Sequence, residues 1–286
     1  MTRHDSNFDA DALTRGLLPA ALEAGRVEMA HFAAGVAIER KADKSPVTVA
    51  DREAEAIIVE ALHRLAPDIQ VIAEEAVSRG EATTHAARYF LVDALDGTRL
   101  FVKGSPEFSI NVALIENGRA VYGLIYGPAT GGLYLTRSDG SAAGAVLPPH
   151  EVRGVDDIAF ERLVSREPDP ARLVAYNSQS AGGRTTALLA ELGVMEKRPF
   201  GSSLKFCLIA AGEGDIYARL GDTNEWDTAA GQAILEAAGG AVTTLDGQPL
   251  TYGDPARMYL NPHFIAWAKR PLKTWAEPPP PLQSSA

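Results

Sequence analysis

The sequence predicts a mixed fold, an α+β first half followed by an α/β second half. Three observations carry this. Apolar runs at 109–115 and 120–126 flank Asn117-Gly118, a dipeptide that favours the positive φ angles of tight hairpins. Beyond a Gly-, Ser- and Pro-bearing stretch at 138–154, strand-like and helix-like segments alternate. Finally, 46% of the 286 residues are hydrophobic, enough to bury the core of one large domain or two ordinary ones.

Taken in order, residues 9–39 read as an amphipathic helix that Pro19 starts or kinks. After the polar stretch 41–46, a second helix places Ile57, Ile58, Ala61, Leu62 and Leu65 at helical spacing. Short strands are expected at 69–73 and 89–92, then the hairpin, then a third meander strand at 132–136. In the second half, strands are expected at 162–165, 173–176, 196–199 and 215–220. Helices are expected at 184–192, 203–211 and 227–238, the last closed by Gly239-Gly240. The units are therefore 1–145 and 146–276, with a Pro-rich tail at 277–286 expected to be disordered.

A formal net charge of −10 argues against nucleic acid and against anionic membrane surfaces as partners. An acidic protein that handles an anionic substrate needs local positive charge, and divalent cations supply it. Cys207 is the only cysteine, so no internal disulfide forms; its apolar setting reads as a core thiol. Residues 1–15 contain no secretory apolar region, and Glu23, Arg26, Glu28 and His31 interrupt the one long apolar helix. A cytoplasmic protein without a membrane span is the expectation.

The chemistry concentrates in Val92-Asp93-Ala94-Leu95-Asp96-Gly97-Thr98, where an apolar strand runs into two aspartates. Carboxylates at a strand end project into the cleft beyond the sheet edge. Two such anions repel unless a cation lies between them, and hard oxygen donors suit Mg²⁺ or Mn²⁺. A second strand ends in Glu74-Glu75, and Glu225-Trp226-Asp227 opens a helix. Each acid also has an ordinary reading. Asp96-Gly97-Thr98 makes a turn, Glu74-Glu75 a solvated pair, Asp227 a helix cap, and Thr48 to Asp51 a capping box.

Together these motifs resemble the lithium-sensitive, magnesium-dependent phosphatase superfamily typified by inositol monophosphatase. Four blocks carry the likeness: Lys44-Ser45-Pro46-Val47-Thr48-Val49-Ala50-Asp51, Glu74-Glu75, Asp93-Ala94-Leu95-Asp96-Gly97-Thr98 and Trp226-Asp227-Thr228-Ala229-Ala230-Gly231. Within it, Gly201-Ser202-Ser203-Leu204-Lys205-Phe206-Cys207-Leu208 is most similar to the bacterial 3′(2′),5′-bisphosphate nucleotidase branch. That branch converts adenosine 3′,5′-bisphosphate, a by-product of sulfate-donor chemistry, to AMP and phosphate.

The resemblance implies a layered α-β-α-β-α sandwich whose N-terminal unit binds most of the metal. It implies ligation of two or three Mg²⁺ ions, or Mn²⁺, by Glu74, Asp93, the Leu95 carbonyl, Asp96 and Asp227. Asp51 and Thr98, with Glu74 through its metal, would activate the attacking water. Gly97, Thr98, Ser202, Ser203, Lys205 and Asp227 would face a small phosphorylated substrate, in a chain that forms homodimers. Two features depart from the pattern. Ala94 stands where the family has Pro, and Tyr176-Asn177-Ser178-Gln179-Ser180 lacks the arginine and histidine of the branch's Ser-Arg-Ser-His stretch. Alternatives are therefore an inositol, histidinol or sugar phosphate as substrate, and a non-catalytic regulatory module on the same fold.

Overall fold

The computed structural model describes residues 8–35, 39–40, 46–81, 86–148, 154–178, 181–277 and 280. Lys44, Ser45, Gln179, Ser180 and most of the 277–286 tail lie outside the described residues.

Helix α1 (Ala10–Ala34) begins at Asp9, whose carboxylate accepts the Ala12 N–H at 3.0 Å. Pro19 neither starts nor ends it, but sits inside with its side chain exposed. Strands β1 (Glu39–Arg40) and β2 (Pro46–Val47) pair antiparallel and lead into helix α2 (Val49–Leu65). Helix α2 buries Ala54, Ile58, Ala61 and Leu62, an apolar stripe at helical spacing that meets α1 and the sheet below.

Seven strands form the first sheet. They are β3 (Gln70–Ala73), β4 (Arg88–Asp96), β5 (Ser109–Glu116), β6 (Arg119–Gly127), β7 (Gly132–Thr136), β8 (Ala142–Val146) and β9 (Glu161–Leu163), in spatial order of the chain. β3 and β4 run parallel and the rest antiparallel. Short helices α3 (Glu74–Ser78) and α4 (Thr98–Val102) follow β3 and β4 directly. The expected hairpin turns on Asn117 and Gly118, at φ 49° and 76°. The stretch 138–154, read as a connecting loop, contains β8, and the expected 162–165 strand is β9, paired to β8. The first sheet thus runs on to Leu163. Ala-Ala-Gly-Ala-Val carries too little strand preference to betray β8 in sequence.

The second sheet holds β10 (Val174–Asn177), β11 (Glu196–Pro199), β12 (Ile216–Arg219), β13 (Ala241–Thr244) and β14 (Phe264–Trp267) in the order β11-β10-β12-β14-β13. The first three are mutually parallel, and β14 is antiparallel to both of its neighbours. The helices are α5 (Gly183–Glu191), α6 (Leu204–Ala210) and α7 (Ala229–Ala237).

Five layers result, as expected. Leu17, Leu18 and Leu22 of α1, with Ile58 and Leu62 of α2, cover Phe90, Val112 and Leu124 on one face of the first sheet. Phe206, Ile209, Ile234 and Leu235 of α6 and α7 fill the space between Leu91, Ile115 and Ile125 of that sheet and Tyr217, Phe264 and Ala266 of the second. Leu188 and Leu189 of α5 close the far face against Ile216, Ile265 and Trp267. Gly123 sets the approach of α7, since a Cβ there would stand 2.2 Å from the Ala230 carbonyl oxygen. Among the described residues no helix is long and apolar enough to cross a membrane.

Candidate active site

The site forms where β3 and β4 end side by side. β3 stops at Ala73 and the chain enters α3 at Glu74. The Glu75 N–H donates to buried Glu55 of α2 at 2.7 Å, which fixes this junction against α2. In β4 the pairing with β5 slips between Asp93 and Asp96, a bulge that re-aims the strand's last residues. There the Leu95 N–H donates back to Asp93 Oδ1 at 2.9 Å. Gly97, at φ 96°, turns the chain into α4, and a Cβ at this position would press the Glu107 carbonyl at 3.0 Å. Asp227 arrives from the other half, in the 3-10 turn Glu225–Asp227 ahead of α7, where its Oδ2 accepts the Asn224 N–H at 2.9 Å.

These segments bring acids from three places together. One carboxylate oxygen from each of Glu74, Asp93 and Asp227 lies within 4.8 Å of the other two. Burial, then the charges of Glu74, Asp96 and Asp227, push the Asp93 carboxyl well above the usual range. Burial, then Asp96 and Glu74, do the same to Asp227. Anions so close, Asp93 buried and Glu74 and Asp227 half-buried, are costly unless a cation joins them, and an all-oxygen donor set fits a hard divalent ion. Asp96 adjoins the cluster through Ser203. The Ser203 N–H and hydroxyl donate to Asp96 Oδ2 at 2.5 and 2.6 Å, and that hydroxyl lies 2.7 Å from the Asp227 carbonyl oxygen.

A second group of contacts lies beside it. Asp51 Oδ1 accepts the Thr98 hydroxyl at 3.0 Å, while Oδ2 accepts the Thr48 N–H at 2.8 Å and the Thr48 hydroxyl at 2.6 Å. Thr98 Oγ1 is also 3.2 Å from the Leu95 carbonyl oxygen. The helix-capping reading and the site reading of Asp51 therefore hold together, and the same is true of Asp227.

Ser202, at φ 48°, strains the turn that presents Ser203. Lys205 is 4% exposed; its ammonium donates to the Ser202 carbonyl and lies 4.8 Å from the Tyr217 ring centroid. Burial pushes Lys205 down to about 8, against the opposing pull of Asp96 and Asp227. Two contributors escape sequence reasoning. Glu55 holds the β3–α3 junction, and Asn111 Nδ2 donates to Ser203 Oγ at 2.8 Å and to Asp96 Oδ2 at 3.4 Å. The only sequence signal for Asn111 is a polar residue in an apolar strand.

A cluster of hard oxygen donors beside a hydroxyl–carboxylate pair, at the ends of β3 and β4, is an arrangement that a metal-dependent hydrolase can use. The inositol monophosphatase family matches residues 9–273, and the chain belongs to that family. Among its relatives, the 3′(2′),5′-bisphosphate nucleotidase CysQ of Escherichia coli (strain K12) is 40% identical over 224 residues, covering 78% of this chain and 86% of that protein. CysQ from Bacteroides thetaiotaomicron, described as a bacterial member of the same family, superposes with a TM-score of 0.74 at 34% identity, covering 93% of this chain and 99% of that one. The IMPase of Thermotoga maritima gives 0.69 at 27% identity, over 88% and 90% of the two chains. The protein is a phosphoric monoester hydrolase.

Proposed function

We propose that the chain is a Mg²⁺-dependent 3′(2′),5′-bisphosphate nucleotidase that converts adenosine 3′,5′-bisphosphate to AMP and phosphate. The convergence of Glu74, Asp93 and Asp227 on one spot supports the chemistry, and the CysQ relatives support the substrate.

In this reading Glu74, Asp93, the Leu95 carbonyl, Asp96 and Asp227 hold two or three Mg²⁺ ions, with Mn²⁺ a substitute. When bound, the ions acidify a water molecule and neutralise charge on the phosphoryl and leaving oxygens. The Thr98 hydroxyl, tethered to Asp51, orients the water, and Asp51 receives its proton through Thr98. Glu74 completes this catalytic group. Ser203, braced by Asn111, holds Asp96 in place. Gly97, Thr98, Ser202, Ser203, Lys205 and Asp227 form the substrate side. The residues up to 145 supply most metal ligands, and the later half supplies Asp227. Cys207 is fully buried and takes no part.

A second reading, hydrolysis of an inositol, histidinol or sugar phosphate, draws on the absence of arginine and histidine in Tyr176-Asn177-Ser178-Gln179-Ser180. Turnover of all four substrates, ranked by kcat/KM with Mg²⁺ and with chelator, decides between them. The bisphosphate is expected to lead by at least tenfold, and chelator to abolish all activity. If a monophosphate leads, the second reading takes its place. Asp96→Asn is expected to lower kcat by on the order of a thousandfold with the fold intact. Near-native turnover in that variant would remove Asp96 from the assignment.

A further inference from the structure

Asp227 reaches the acid cluster on a turn that another stretch of chain holds in place. Residues 259–261, just ahead of β14, lie antiparallel to 223–225. The Glu225 N–H donates to the Tyr259 carbonyl at 2.7 Å, the Asn261 N–H donates to the Thr223 carbonyl at 2.9 Å, and Asn224 bridges to Leu260. The Asn261 side chain then closes on both ends of the turn. Its Nδ2 donates to the Asn224 carbonyl at 2.6 Å, ahead of Asp227, and to the Thr228 hydroxyl at 3.1 Å, directly after it. A carbonyl can only accept, which fixes the amide nitrogen on this side. The Thr228 hydroxyl gives its own proton to the Glu225 carbonyl at 3.2 Å and so is free to accept.

Asn224 passes this hold on to Asp227. Its N–H donates to Asp227 Oδ2 at 2.9 Å, and its carbonyl accepts the Asp227 N–H at 3.1 Å. The rotation of the carboxylate therefore follows the placement of Asn224. Asn261 is 8% exposed, and its Oδ1 has no hydrogen-bond partner. Burying an unmatched acceptor is costly, so the donor end is what keeps this amide here. Backbone strain points the same way. Met258 and Tyr259 stand consecutively at φ 45° and 67°, a region that residues with a Cβ avoid. Met258 is exposed and recovers nothing by burial, whereas the Tyr259 ring lies 5.3 Å from that of Trp226, the residue before Asp227. The strained corner thus delivers Tyr259 and Asn261 to the turn that presents the acid.

We propose that Asn261 is a positioning residue of the metal site: its amide nitrogen, bonded to Asn224 and Thr228, fixes the turn so that the Asp227 carboxylate stays within reach of Glu74 and Asp93. This rests on the assignment of Asp227 as a ligand. Without that nitrogen the ligand is still present but wrongly aimed, and groups that aim a ligand commonly govern metal affinity by about 10–100-fold.

Calorimetry of magnesium binding to the full-length, metal-free protein reads the effect directly. Asn261→Ala is expected to raise the magnesium Kd at least tenfold, at a temperature where circular dichroism shows the variant fully folded. The magnesium concentration for half-maximal phosphate release from adenosine 3′,5′-bisphosphate is expected to rise by a similar factor. Leu188→Ala, buried in α5 on the far face of the second sheet, controls for lost stability alone and is expected to keep the wild-type Kd. A wild-type Kd in folded Asn261→Ala overturns the proposal, and so does an equal weakening in Leu188→Ala. Should Asn261→Ala not fold, Thr228→Val takes its place, since it removes one acceptor of the amide and keeps the side-chain shape. It is expected to raise the Kd at least threefold, and an unchanged Kd is the contrary result. Asp227→Asn tests the underlying assignment separately: undiminished magnesium binding in that variant removes Asp227 from the ligands, whatever Asn261 does.

Discussion

Asp93 carries the conflict between stability and function at its most concentrated. It is 4% exposed and faces Glu74, Asp96 and Asp227, so without a cation its charge is opposed from three sides. Asp93→Asn preserves the acceptor for the Leu95 N–H while removing that charge. The expected result is a metal-free protein that melts about 2–5 °C higher, without the rise in melting temperature that magnesium is expected to give wild type. Thermal melts with and without magnesium measure both effects. The sequence makes Asp93, Asp96 and Asp227 visible because several acids at strand ends and helix starts recur in one chain, although each alone also reads as a turn or a cap. It hides Glu55 and Asn111, whose value lies in what they touch, the Glu75 N–H and Ser203, residues 20 and 92 positions away.

Element α7 is placed by close approach more than by side-chain interlock. Gly123 admits the Ala230 carbonyl, and Gly231 admits the Phe206 ring. Because Asp227 lies just ahead of α7, displacing that helix displaces a proposed ligand. Gly123→Ala is expected to cost about 2–3 kcal/mol in denaturant unfolding and to weaken magnesium binding in calorimetry. Helices α1, α2, α5, α6 and α7 and the Asn117-Gly118 hairpin are legible in sequence because their signals are local, caps, apolar spacing and a turn dipeptide, whereas the five-residue α3 and α4 are too short to show a period. β8, β13 and β14 are not legible. Each has five residues or fewer; β8 is built of Ala, Gly and a single Val, while β13 and β14 owe their strand state to partners further along the chain, Trp267 opposite Ile216 and Ala241 for instance. Pro19 does not start its helix, because Asp9 caps the chain ten residues earlier.

At the scale of the molecule, burial lifts several acids together. Glu55 and Glu225 are pushed to about 7, and Asp93 and Asp227 are raised as well. A folded-state pKa raised above the unfolded value means the native state binds its proton more tightly. Glu55 and Glu225 therefore favour the fold fully below about pH 4.5, and that contribution fades as pH rises through about 7, while Asp93 and Asp227 act in the same direction. Magnesium, if held as proposed by Asp93 and Asp227, would reverse their share, since it requires the ionised form. The rise in melting temperature on adding saturating magnesium is thus expected to be larger at pH 7.5 than at pH 5.5. Equal rises would show that the cluster is already ionised in the metal-free protein.

Helices α6 and α7 lie between the two sheets and serve both, so neither sheet owns a complete interior. The chain crosses from one to the other through an exposed turn near Asp169 and Pro170. A break in the backbone there, made by expressing 1–169 and 170–286 as separate polypeptides, severs none of the side-by-side strand pairs within either sheet. Each piece alone is left with a greasy, uncovered flank, and only their reunion restores Asp227 to Glu74 and Asp93. Phosphate release that appears on mixing, at a rate set by fragment concentration, is the signature of an enzyme whose halves are one folding unit.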